Sequence, residues 1–182
     1  LGRVNTGSVA QRLADTPGVA RTILDAARAA RGMPGADPRA MSHSWLFTGP
    51  PGSGRSLAAL DFAAALMCTD PEEPGCGRCE ACQAVLDAKQ HTDLVLVDPQ
   101  EVIIPVDTVR EVIGRAASLP TVAPWRVVIF NNADRLNNNG ANALLKTVEE
   151  PPARTVIIMC APSDAPEDFS QTLRSRCRHL YI

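Results

Sequence analysis

The stretch SWLFTGPPGSGRSLAALDFAAALMC, residues 44–68, constrains the fold more than any other part of the chain. A short apolar segment suited to a buried strand runs through a glycine-rich loop straight into an Ala/Leu-rich segment of high helical propensity. The centre, GPPGSGRS at 49–56, departs from the phosphate-loop pattern G-x-x-x-x-G-K-[ST] at one position, where Arg55 replaces the lysine. In such a loop the backbone N–H groups and the positive end of the helix face a phosphate. Residue 55 reaches the outer phosphates, and Ser56 ligates Mg²⁺. Gly49, Gly52, Gly54, Arg55 and Ser56 are therefore the candidate nucleotide-binding residues. Arginine keeps the charge, but its planar fork does not replace a compact ammonium in a tight loop. ATP binding is accordingly doubtful, with an anion-binding or purely structural turn as the competing reading.

The rest of the chain repeats the alternation of strand and helix. Helical spacing covers 8–15 and 18–32, with Gly32 as a stop, within an N-terminal helical segment over 1–35. Strands are expected at 44–48, 92–98, 126–130 and 155–160 and in the closing HLYI. Helices are expected at 105–118, at 140–150 before Pro151-Pro152, and briefly within TLRSRC. In the first of these, Val106, Val109, Val112 and Ile113 form one apolar stripe and Asp107 sits in the first turn. Continuous apolar strands alternating with amphipathic helices imply an α/β fold, a five-stranded parallel sheet flanked by helices. At 182 residues, 45% of them apolar, one core domain over 1–182 accounts for the chain. No apolar run can span a bilayer and no secretory segment opens the chain, so a cytoplasmic protein without a membrane partner is expected. A net charge of −2 gives no global attraction to nucleic acid, so DNA contact has to be local or made through partners. The start at Leu1 and the strand-like end at HLYI lead us to expect more protein after Ile182.

Two further segments carry chemistry. In phosphate-loop NTPases a strand like RVVIF ends in an acid that holds Mg²⁺, and in many a following glutamate activates water. Here Asn131 and Asn132 fill those places, and an amide neither accepts a proton from water nor adds charge to the metal. Asp134 is the alternative acid if the motif's register is shifted. The other segment holds four of the six cysteines: Cys68, Cys76, Cys79 and Cys82, within an insertion of about 68–90. The spacing C-x7-C-x2-C-x2-C, with turns at Gly75 and Gly77, suits four thiolates around one tetrahedral ion. Structural Zn²⁺ is the natural occupant, with an Fe–S cluster as the alternative. Cys160 belongs to a strand, and Trp45 and Trp125 are packing residues. His43, His91 and His179 show no triad or metal spacing, and Arg174 and Arg178 are expected on a solvated basic edge.

Taken together, GPPGSGRS, the four-cysteine insertion after its helix, NALLKTVEEPP at 142–152 and SRC at 175–177 resemble the bacterial DNA polymerase III clamp-loader AAA+ family. The resemblance covers about residues 42–182 and implies a RecA-like AAA+ P-loop fold with an inserted four-cysteine zinc module. The family's lid and collar domains normally follow such a core, and residues 1–182 are expected to hold neither. Gamma/tau-type members keep the loop lysine and an acidic pair after the third strand. Arg55 and Asn131-Asn132 make the chain similar to the non-hydrolysing, delta-prime type instead. The resemblance further implies gamma/tau and delta subunits, the sliding clamp and primed DNA as partners within the polymerase holoenzyme. It also implies that Arg176, the arginine of SRC, reaches into the neighbouring ATPase subunit's site. Two rivals remain: a gamma/tau-type ATPase with its own turnover, and a zinc-dependent DNA-binding module. The second lacks the basic face and aromatic content it needs, at 4% aromatic residues.

Overall fold

All five apolar runs form strands, and every pairing between them is parallel. The computed structural model describes residues 7–182, so the first six residues of the expected N-terminal segment lie outside the described residues. The strands are β1 (Ser44–Thr48), β2 (Leu94–Val97), β3 (Arg126–Phe130), β4 (Thr155–Ala161) and β5 (Arg178–Tyr181), in the spatial order β2-β3-β4-β1-β5. The chain leaves β1, passes β4 and β3, and lays β2 at the far edge. β1 therefore has β4 on one side and β5 on the other, the kind of switch point at whose carboxyl ends α/β proteins bind ligands. The loop 49–54 emerges at that point.

The period-two alternation of each strand sends its side chains into two separate cores. Trp45, Phe47, Val127, Ile129, Val156, Ile158 and Cys160 pack on one face against α1 (Val9–Arg12), α2 (Pro17–Ala30) and α3 (Arg55–Met67). The cysteine segment adds Cys68, Cys76 and Cys82 to the same core, together with α4 (Glu80–Gln83) and a π-helical turn, Ala84–Ala88. On the other face Leu46, Val95, Val128, Phe130, Ile157 and Met159 pack against α5 (Val106–Ala116), α6 (Asn138–Glu149) and α7 (Gln171–Arg174). Val109 and Val112 of the α5 stripe are buried, whereas Val106 and Ile113 lie at its margins.

Local chemistry sets the helix boundaries. Ser8 and Gln11 form a reciprocal capping box on α1, which is a single turn where the spacing suggested twice that. Asn137 caps α6 by accepting from the Gly140 N–H at 2.9 Å. Gly54 begins α3 at φ +90, a left-handed conformation open to glycine, and this turns the loop sharply into the helix. The loop before β3 is tied down by Asp93, which is wholly buried and accepts the N–H groups of Thr121, Val122 and Ala123 at 2.8, 2.8 and 2.7 Å.

Candidate functional site

The strand–loop–helix unit holds all five loop residues expected from the sequence. Gly49 N–H donates to Ala161 O at 3.2 Å, pinning the loop to the end of β4, and Ser53 N–H donates to Pro50 O at 3.0 Å inside the turn. Arg55, read as a group that reaches phosphate, is 7% exposed and turned back into the protein. Its Nη1 donates to the Gly49 carbonyl and its Nη2 to Asn132 Oδ1 at 3.1 Å. Asn132 adopts a left-handed φ of +52 just beyond β3, which brings its amide to the loop. Arg55 and Asn132, departures from the NTPase pattern in two separate motifs, are thus bonded to each other, a coupling no spacing rule could reveal.

Beside the loop lies a cavity of about 370 Å³, bordered by Gly52, Arg55, Ser56 and Asn132. These residues do not fit a Mg²⁺–nucleotide. The cationic fork has neutral oxygens as partners, and amides stand at the end of β3 where charge is needed. Asn131 Oδ1 and Asp134 Oδ1 are buried without a hydrogen-bond partner among the described residues. Asp134 belongs to a 3-10 turn, Ala133–Arg135, and no hydrogen bond or ion pair joins it to residues 49–56 among the described residues. On the loop's other flank a larger cavity, about 750 Å³, opens between α1 and α3. An Arg12–Asp61 ion pair lines it, with Asp61 only 2% exposed. Burial raises the Asp61 carboxyl, and Arg12 opposes that rise. The apolar tenor of α3 hid this pair from the sequence reading.

Cys68, Cys76, Cys79 and Cys82 converge as expected, with their four Sγ atoms within 4.8 Å of one another. Backbone N–H groups point at these sulfurs: Asp70 and Cys76 to Cys68, Arg78 and Cys79 to Cys76, and Cys82 to Cys79, all at 3.2–3.4 Å. Such donors stabilise thiolates and orient them as ligands. The neighbouring Cys82 thiol holds Cys68 down at about 3, and Cys68 in turn pushes Cys82 far up. Keeping all four as thiolates so close would need a cation, and the cluster can hold a metal ion. Gly77 makes the wrap possible: a Cβ there would stand 1.9 Å from the Gly7 carbonyl oxygen. Cys160 is fully buried in β4, as expected, and burial lifts its thiol to about 12.

Arg174 and Arg178 are exposed, as expected of a solvated edge, and each is also tied to the protein. Arg174 pairs with Asp164 at 2.6 Å, and this contact holds the Asp164 carboxyl below its ordinary range. Arg178 donates to the Arg39 and Ala40 carbonyls at 3.3 and 2.6 Å and lies over the Trp45 ring. Arg176 is bound by Glu149 through Nε, and by Thr172 O and Ser175 Oγ through Nη1 at 2.7 and 2.9 Å. His179, which showed no triad spacing, nonetheless joins a chain: Nε2 lies 2.6 Å from Thr48 Oγ1 and Nδ1 lies 3.5 Å from Asp164 Oδ2. Burial lowers the His179 imidazole, against the pull of Asp164. Threonine, histidine and aspartate here come from three separate segments, so only the sheet order unites them.

Residues 36–182 match the family described as DNA polymerase III, delta subunit. The chain belongs to that family. It is 38% identical to the delta-prime subunit of Pseudomonas aeruginosa over 75% of this chain and 42% of that one. The delta-prime subunit of Escherichia coli is 35% identical over 77% of this chain and 42% of that one. The gamma/tau subunit of Mycobacterium tuberculosis is 36% identical over 79% of this chain and 25% of that one. This chain thus spans about two-fifths of the delta-prime relatives' length. Family and relatives together mark a clamp-loader subunit of the delta-prime type. The fold matches two Thermotoga maritima structures. A gamma subunit-related protein aligns at TM-score 0.56 and 20% identity over 78% of this chain and 41% of that one. The branch-migration motor RuvB aligns at TM-score 0.55 and 16% identity over 92% of this chain and 45% of that one. The chain therefore shares the fold of these two proteins, a parallel five-stranded sheet flanked by helices. No helix among the described residues is long and apolar enough to cross a membrane.

Proposed function

We propose that this domain acts as a stator in a clamp loader, a AAA+ member that does not hydrolyse ATP and serves its neighbour's ATPase site. The observation that carries this reading is the Arg55–Asn132 bond, which spends the loop's cation on the protein's own amide. Hydrolysis needs charge on the metal and a base for water, and Asn131 and Asn132 supply neither. The partners would be gamma/tau and delta subunits, the sliding clamp and primed DNA, all engaged through the assembled complex. Zinc is the metal that suits the cysteine cluster. A tetrahedral zinc site with four sulfur ligands has sulfur–sulfur edges of about 3.8 Å, and Cys68 Sγ lies 3.8 Å from Cys79 Sγ. Four thiolates leave zinc no open position, so its role is structural.

Arg176 is the residue proposed to act in trans. A guanidinium facing a neighbour's γ-phosphate offsets developing charge and contributes on the order of 10³–10⁵ in rate in related phosphoryl transfers. Arg176→Ala should leave the domain folded and lower the DNA- and clamp-stimulated ATPase of the reconstituted complex. Unchanged ATPase refutes the trans role. The 36% identity to a mycobacterial gamma/tau subunit favours one other reading, a self-sufficient ATPase. Mg-ATP turnover by the full-length protein alone would decide for it.

A further inference from the structure

The Arg176 guanidinium is held on one side and free on the other. Nε donates to Glu149 Oε1, and Nη1 donates to Thr172 O at 2.7 Å and Ser175 Oγ at 2.9 Å. Nη2 makes no hydrogen bond among the described residues. A planar fork held at both Nε and Nη1 has a fixed direction, with Nη2 left to meet a second acceptor.

Glu149 stands where its carboxylate is otherwise unfavourable. It is the last residue of α6, at the negative end of the helix, and Glu150 and Pro151-Pro152 end the helix directly after it. Its distance from Arg176 is set from below, by Leu144 and Val148 of α6 and Leu173 of α7 in one buried cluster. The two side chains are 40% and 36% exposed. An ion pair at that exposure contributes little to stability, so fold maintenance does not explain it.

We infer that Glu149 is a positioning residue for Arg176, holding the guanidinium in the orientation in which Nη2 is presented to an anionic group of a neighbouring subunit. This rests on the trans role proposed above. An unrestrained arginine samples many rotamers and must be ordered in each catalytic cycle, whereas a gripped one meets its target already aimed. The glutamine amide oxygen can still accept from Nε, so a neutral replacement keeps the grip while alanine loses it.

The test uses the full-length protein assembled with its ATPase partners and follows DNA- and clamp-stimulated hydrolysis. Glu149→Ala should lower kcat roughly tenfold with the KM for ATP unchanged, and Glu149→Gln should restore most of the loss. In an Arg176→Ala background, Glu149→Ala should have no further effect. A kcat that stays the same or rises in Glu149→Ala overturns the inference, as does a loss that persists without Arg176. If Arg176→Ala lowers hydrolysis while Glu149→Ala does not, the positioning role alone falls. If Arg176→Ala changes nothing, the trans role falls and the positioning role with it. Thermal melts of each variant, expected within a few degrees of the parent, separate these outcomes from misfolding.

Discussion

Replacing Arg55 by lysine tests whether the loop is closed to nucleotide by its own arginine. The guanidinium is 7% exposed and donates to Gly49 O and to Asn132 Oδ1. A hydrogen bond from a charged donor contributes about 1.5–3 kcal/mol, so the two together hold the fork with about 3–6 kcal/mol. A phosphate entering the loop has to break both, and at about 1.4 kcal/mol per decade that weakens binding by roughly 10²–10⁴. Lysine cannot span both acceptors with a planar fork and leaves its ammonium free for an anion. Arg55→Lys should therefore tighten the binding of a fluorescent ATP analogue by at least about 10², taking the lower end of that range. Titration with and without Mg²⁺, on protein whose circular dichroism matches the parent, reads the change. Affinity within about threefold of the parent would refute the latch and leave the loop's weakness to some other cause. Turnover should stay absent in the variant, because Asn131 and Asn132 still stand at the end of β3.

Other expectations concern stability and the metal. Asp93→Asn turns one of two buried acceptor oxygens into a donor facing N–H groups and leaves Arg126, 6% exposed at its side chain, without a counter-charge. Breaking a buried pair from one side costs about 3–5 kcal/mol, so Tm should fall by about 6–20 °C, and a fall under about 3 °C contradicts the clamp. Burial works to raise the Asp93 carboxyl, but its three backbone donors and Arg126 outweigh it and hold it below the ordinary range. Its contribution should therefore be complete above about pH 4 and fade as pH falls through the depressed value, as urea midpoints across an acid series would reveal. Elemental analysis of the purified protein should find zinc bound at one ion per chain. Cys82→Ala should abolish that binding and lower Tm, and a metal-free protein of unchanged Tm would remove the structural role.

Much of this was legible because it is local. The strands at 44–48 and 126–130 follow from unbroken apolar runs, which only a sheet covered on both faces can bury. The cysteine cluster was legible because three of its ligands sit within seven residues of one another and their spacing alone brings the sulfurs together. α1 was overdrawn because its apolar periodicity outlasted its backbone hydrogen bonds, and a four-residue helix is set by its cap. The partners of Arg174 and Arg178 escaped because Asp164 and the 39–40 carbonyls are ten and about 139 positions away.

Sequence alone thus determined the elements, the sheet class and the identity of every group in the loop, since period, glycine placement and residue chemistry act over a few neighbours. Only the tertiary structure decided what those groups do to each other. Arg55 and Asn132 lie 77 positions apart, and Glu149 and Arg176 lie 27 apart. The first pair meets beyond the carboxyl ends of β1 and β3 and the second before the amino ends of β4 and β5, because the order β2-β3-β4-β1-β5 sets separate crossings of the chain close together. A hydrogen bond needs its atoms within about 3 Å, and such closeness between distant residues is a property of packing. The GRS loop read as a weakened phosphate site, and the fold turned it into one whose arginine is already bound.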